Sequence, residues 1–141
     1  MFGQDRQQLR QMFFQSWQKQ LENRPLEPLE AMIVDVILLH PEYHVMLSDP
    51  DAYVDKDYSP EMGQTNPFLH MAMHISIREQ LSTNRPDGIQ SLYEQLCQKY
   101  SSSHEAEHII MDCLGKVLWE AQRSQQMPDD QDYLECLRNS V

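Results

Sequence analysis

Histidine is the residue type in this sequence of 141 residues whose spacing most clearly suggests a chemical role. All six histidines fall into pairs four positions apart. The pairs are His40/His44, His70/His74 and His104/His108. Positions four apart share one face of an α-helix, with Cβ atoms about 5–6 Å apart. Two neutral imidazoles at that separation can bind one metal ion, and two such pairs on facing helices would supply four nitrogens. The spacing therefore predicts a histidine-rich metal site in a helical protein.

The pair His70/His74 is the strongest candidate, because it lies within an apolar helical stripe. At about 100° per residue, both histidines fall in the same sector as Ile77 and Leu81. A charged imidazolium is costly there, so we expect neutral rings that are hydrogen-bonded or bound to a metal. The alternative is a pair of core histidines that bond to the backbone or to an acid such as Glu107.

The other two pairs carry weaker signals. His104 and His108 border a second surface of their predicted helix, and they matter chiefly if they meet the first pair. The alternative for them is a partly exposed capping region. Pro41 interrupts the third pair, so His40 is expected to cap the preceding helix C-terminus, where a cation is favoured.

The segment from His104 to His108 also matches two known metal motifs in part. It reads His-Glu-x-x-His, the zinc peptidase pattern, but no strands are predicted to hold a peptide beside it. It also contains Glu105-x-x-His108, half of the di-iron bundle motif, without a second copy elsewhere. We therefore predict a nitrogen-rich site with one acid, for which zinc or iron is the expected metal. The predicted ligands are His70, His74, His104, His108 and Glu107.

Charge and cysteine content limit the classes of partner and the cellular compartment that we expect. The net charge of −11 and the pI near 4.8 disfavour nucleic acid and membrane surfaces as partners. The N-terminal residues show no signal peptide, and no apolar stretch is long enough to span a bilayer. Three cysteines without Cys-x-x-Cys spacing argue against a disulfide framework. We therefore expect a cytoplasmic protein in which Cys113 is a free core thiol.

Apolar residues at helical spacing predict an all-α fold, an irregular bundle of about five helices in one domain spanning 1–141. Asn66 followed by Pro67 predicts a helix start, and Ser102 with Glu105 fits a capping box. Residues 48–66 form the one long connection, of undetermined role. The predicted helices cover 6–21, 28–40, 67–82, 89–100 and about 102–125, with a short helical turn near 41–47 and a last short helix near 130–137.

Over nearly its whole length the chain resembles a bacterial family catalogued as domain of unknown function 1841. The likeness is carried by MFGQDRQQLRQMF, PLEPLEAMI, HPEYH, GQTNPFLHMAMHISIREQ and the run from HEAEH through CLGKVLWEAQR. The resemblance implies a bacterial cytoplasmic protein and no mechanism. The metal site is predicted from residue spacing alone.

Two functions are consistent with these features, and whether the protein is an enzyme stays open. The first is a metal-binding helical protein, a metalloenzyme or a sensor of metal or oxygen. The second is a non-enzymatic protein–protein interaction module or homodimeric scaffold with structural histidines. Nine methionines and the cluster Phe13/Phe14/Trp17 would then form a docking surface or a dimer seam. The alternative for that aromatic cluster is an ordinary core.

Overall fold

A computed structural model describes residues 2–58 and 66–141, with side chains described from Gln7 onward. This part of the chain is helical and contains no strand, which confirms the all-α class. None of its helices is both long and apolar enough to cross a membrane. The helices are α1 (Phe2–Leu21), α2 (Pro28–Leu38), the 3₁₀-helix η1 (Pro41–Tyr43), α3 (His44–Leu47), α4 (Pro50–Tyr53), α5 (Pro67–Thr83), α6 (Ile89–Tyr100), α7 (Ser103–Ser124) and α8 (Asp130–Ser140).

Eight α-helices occur within the described residues, more than the five that the sequence predicts. The additional ones are the single-turn helices α3 and α4 and the C-terminal α8. Pro41 and Pro50 stand at the first positions of η1 and α4, where a proline needs no backbone donor. The short helical turn predicted near 41–47 is confirmed, and α4 adds a turn of helix after Pro50 within the predicted 48–66 connection. Part of the predicted 48–66 connection, residues 59–65, lies outside the described residues.

The long helices begin where the capping residues predict. Asn66 Oδ1 accepts hydrogen bonds from the backbone N–H groups of Phe68 and Leu69, at 3.0 and 3.2 Å. Ser102 Oγ accepts from Glu105 N–H at 3.2 Å and begins α7. These bonds satisfy donors that have no partner within a helix, so they fix the first turns of α5 and α7.

The chain divides into two compact units, residues 1–75 and 76–141, and the division falls inside α5. The prediction of a single domain stays a prediction. In the first unit, aromatic side chains of α1 pack with α2, α3 and the start of α5. Its core consists of Phe13, Phe14, Trp17, Ile33, Val36, Ile37, Met46, Leu47, Phe68 and Met71. An ion pair of 2.8 Å between Lys19 Nζ and Glu30 Oε2 also joins α1 to α2.

Exposure decides between the two interpretations of the aromatic cluster in the first unit. The cluster Phe13/Phe14/Trp17 is at most 6% exposed, so these rings form ordinary core and offer no docking surface. Helix α2 carries apolar residues around most of its circumference, yet it is only partly enclosed. It leaves Leu29 and Leu38 more than 40% exposed, because only its Ile33–Ile37 face packs into the core.

The second unit packs α6, α7 and α8 against one another. Its fully buried residues include Ile77, Ile89, Leu96, Ile110 and Leu137. The expectation of no disulfide is wrong for this unit, because Cys113 on α7 and Cys136 on α8 are bonded, with Cα atoms 5.8 Å apart. A disulfide requires proximity of two Cα atoms rather than a sequence motif. The short connection after α7 lets α8 pack back and bring the two cysteines together, leaving Cys97 as a free thiol.

Candidate metal centre

Helix α5 carries His70 and His74 one turn apart on one face, as the spacing predicts. Their ring centroids lie 4.9 Å apart with the ring planes nearly perpendicular. His74 is fully buried, whereas His70 is half-buried. The capped start at Asn66 fixes the register of this turn, since the His70 N–H donates to the Asn66 carbonyl at 3.0 Å. The predicted pair therefore exists, with one ring inside the core and one at its edge.

A third histidine, His40, joins this pair from the end of α2. It is 3% exposed, and its ring centroid lies 5.0 Å from those of both His70 and His74. Its Nδ1 lies 2.8 Å from the carbonyl oxygen of Val36. A carbonyl only accepts, so Nδ1 is the protonated nitrogen, and in the neutral ring Nε2 carries the lone pair.

The three rings form a nearly equilateral triangle with sides of 4.9–5.0 Å between centroids. With metal–nitrogen bonds of about 2.0–2.1 Å, imidazoles bound to one ion at the tetrahedral angle have centroids about 5 Å apart. One nitrogen from each of the three lies within 4.8 Å of the others. Nitrogens that share an ion lie about 3–4 Å apart, a separation within this limit.

His40 was not among the predicted ligands, although the sequence contains a signal for it. The prediction placed His40 as a cap of α2, and its Nδ1–H does bond to a carbonyl of the last turn. The overlooked signal is its position four residues after Val36 and three after Ile37, both fully buried. These positions share one helix face, so His40 continues the buried face of α2.

His44, the second member of the sequence pair His40/His44, does not face His70 and His74. Its Nε2 donates to the Ile37 carbonyl at 2.9 Å, and its ring lies 4.4 Å from that of Trp17. Pro41 separates the two histidines, so His40 and His44 do not share one helical face. The spacing of four residues therefore does not create a chelating pair here.

The remaining predicted ligands, His104, His108 and Glu107, lie on α7 in the second unit. The ring centroids of His104 and His108 lie 4.3 Å apart, and the ring planes make an angle of 78°. Glu107 is 4% exposed, and its Oε1 accepts from Arg78 Nε at 3.2 Å. Glu107 is therefore a buried carboxylate paired with an arginine. The assignment of these three residues as ligands to the same ion as His70 and His74 stays a prediction.

The His-Glu-x-x-His string gains no support as a peptidase motif. Glu105, which would act as the general base, is exposed, and its backbone N–H is held by the Ser102 cap. It stands on the solvent side of α7 in the first turn, where a carboxylate favours the helix N-terminus. The buried acid of this segment is Glu107 instead.

These features define a helical protein with a largely buried cluster of three histidines. The family described as domain of unknown function (DUF1841) matches residues 5–139, and the chain belongs to it. This confirms the resemblance seen in the sequence. No curated protein and no solved structure matches the chain.

Proposed function

We propose that this protein binds a transition-metal ion through His40, His70 and His74. The observation that carries the proposal is the triangle of imidazole rings, in which His40 is oriented by the bond from Nδ1 to the Val36 carbonyl. Histidine ligands of metals commonly donate their other ring N–H to a backbone carbonyl, which fixes the tautomer and the direction of the ligand nitrogen.

The chemistry of the donor set limits which metal ions the site would prefer. Three imidazoles supply borderline nitrogen ligands, which favour zinc and iron over magnesium or calcium. Zinc is the first expectation, because three histidines are a known zinc ligand set. Since the ligands must be neutral, binding weakens as the pH falls and protons compete for the same nitrogens.

Three protein nitrogens leave a coordination position of a tetrahedral ion for a further ligand. The sequence predicts His104, His108 and Glu107 as additional ligands. We keep these residues in the proposal on the strength of their spacing alone, and the variants His104→Ala, His108→Ala and Glu107→Gln test them one at a time.

The experiment is elemental analysis of protein purified without a polyhistidine tag, followed by zinc titration against a chromophoric chelator. We expect close to one equivalent of metal, bound or taken up. His40→Gln, His70→Gln and His74→Gln should each weaken zinc binding about 100-fold or more, because each removes one direct ligand. Glutamine keeps much of the buried volume, so folding is preserved and is verified by far-UV circular dichroism.

His44→Gln is the matched control, because His44 belongs to the same unit but lies against Trp17. It should leave zinc affinity within about threefold of wild type. Less than a tenth of an equivalent of any transition metal, with no uptake on titration, would refute the proposal. An equal loss in His44→Gln would show that the effect is general destabilisation.

A second candidate function has its own supporting observation. His40 Nδ1 and His44 Nε2 both bond to carbonyls near the end of α2, those of Val36 and Ile37. Both bonds are those expected of structural histidines that cap a helix. Structural histidines would fit a protein that acts as an interaction module or homodimeric scaffold. That function predicts no metal uptake and a concentration-dependent oligomer, which sedimentation of the same tag-free protein detects.

A further inference from the structure

We infer that Tyr43 is a positioning residue of the metal site, which holds the ring of His40 in its ligand orientation. This inference rests on the proposed function. The ring of Tyr43 lies parallel to that of His40, with an interplanar angle of 7° and centroids 5.3 Å apart. Its edge also meets His70, at 6.4 Å between centroids. Tyr43 therefore contacts two of the three proposed ligands.

The local sequence His40-Pro41-Glu42-Tyr43 explains how this stack forms. Pro41 begins the 3₁₀-helix η1, and the Tyr43 N–H donates to the His40 carbonyl at 2.9 Å. His40 is the N-cap of this turn, so the bond from the Tyr43 N–H to the His40 carbonyl closes a single turn with the two side chains at its ends. The turn after Pro41 thus places the phenol ring parallel to the imidazole ring and offset from it.

Two restraints then act on His40 from different directions. The Val36 carbonyl holds Nδ1 at 2.8 Å and sets the tautomer, and the face of Tyr43 restricts rotation of the ring. Tyr43 itself is half-buried and packs against the core of the first unit, so its own position is fixed. A ligand held in this way loses little rotational freedom when an ion binds.

Metal binding would strengthen this contact. A divalent ion withdraws electron density from the imidazole, which gives the ring partial cationic character over the electron-rich face of Tyr43.

The test is a cobalt(II) titration of the full, tag-free chain, with the visible absorption of the bound ion and the dissociation constant as readouts. Tyr43→Phe keeps the stacked ring and should bind within about threefold of wild type with the same spectrum. Tyr43→Leu removes the ring and should bind about 10–100-fold more weakly, with altered absorption. If Tyr43→Leu does not fold, Tyr43→Met keeps more of the side-chain volume without an aromatic face and replaces it.

Tyr58→Leu is the control, because Tyr58 is a half-buried tyrosine that packs on Phe68 in the same core. It should leave the cobalt spectrum unchanged. The inference is overturned by a Tyr43→Leu or Tyr43→Met protein that binds like wild type, or by an equal loss in Tyr58→Leu. It is also overturned by an equal loss in Tyr43→Phe, which would assign the effect to the hydroxyl. A wild-type protein that binds neither cobalt nor zinc refutes the proposed function itself, whereas the preceding results refute only the role of Tyr43.

Discussion

Removal of the Cys113–Cys136 disulfide should destabilise the second unit by about 3 kcal/mol. The bond joins residues 23 positions apart and thereby restricts the unfolded chain. In the chain-entropy description, closing a loop of that length lowers the conformational entropy of the unfolded state by an amount worth about 3 kcal/mol at 25 °C. That free energy corresponds to a change of about 150-fold in the equilibrium constant for unfolding.

The choice of substitution matters, because the two cysteines differ in burial. Cys113 is 3% exposed, whereas Cys136 is half-buried. A serine at position 113 would bury an additional hydroxyl, which carries its own cost. Cys136→Ser therefore isolates the effect of the cross-link, and Cys113→Ser should be destabilised somewhat more.

The assay is urea unfolding followed by circular dichroism, on the wild type with and without a dithiol reductant and on each variant. Reduced wild type and Cys136→Ser should lose similar stability. Cys97→Ser is the matched control, because Cys97 is a free thiol on α6 and its replacement retains the cross-link. It should stay within about 0.5 kcal/mol of wild type.

Thiol titration of the unfolded, unreduced protein provides an independent measurement. One reactive thiol per chain is expected, that of Cys97, from three cysteines in total. Three reactive thiols would show that the bond does not form in the isolated protein. One thiol together with a loss below about 0.5 kcal/mol in Cys136→Ser would refute the loop-entropy argument.

Two further predictions concern buried polar groups. Arg10→Met should destabilise the first unit by about 2–4 kcal/mol in denaturant unfolding, because Arg10 Nη1 donates to the carbonyls of residues 53, 54 and 56 at 2.7–3.3 Å. Arg10→Lys should lose less, since it retains the charge, and an equal loss in both would contradict this reasoning. Burial raises the pKa of Tyr93 from its ordinary value near 10 to about 12, and it also raises the pKa of Tyr133. The folded state therefore holds protons that the unfolded state releases, so the contribution of these two tyrosines to stability should be full below about pH 10 and fall as the pH rises from about 10 to 12. A Tyr93→Phe/Tyr133→Phe protein should show a shallower fall in its unfolding midpoint over that range, and an unchanged slope would count against the assignment.

The sequence alone was sufficient for the helical class, for the long helices and for two of the three histidines of the candidate site. Helical periodicity predicted the all-α class, and capping chemistry at Asn66 and Ser102 located the starts of α5 and α7. These features depend on neighbours within a few positions, which the sequence contains in full. The same locality made the pair His70/His74 visible, because four residues along a helix is a fixed distance.

Tertiary structure decided everything that depends on contacts between distant segments. His40 joins His70 and His74 only because α2 packs beside the start of α5 in the first unit, thirty residues along the chain. Cys113 and Cys136 form a disulfide only because α8 packs back against α7. The sequence specified which side chains can act as ligands or cross-links, and only the packing of helices selected His40 over His44 and bonded two of the three cysteines. The physical reason is that helical periodicity fixes directions within one element, whereas distances between elements follow from how their apolar faces are buried together.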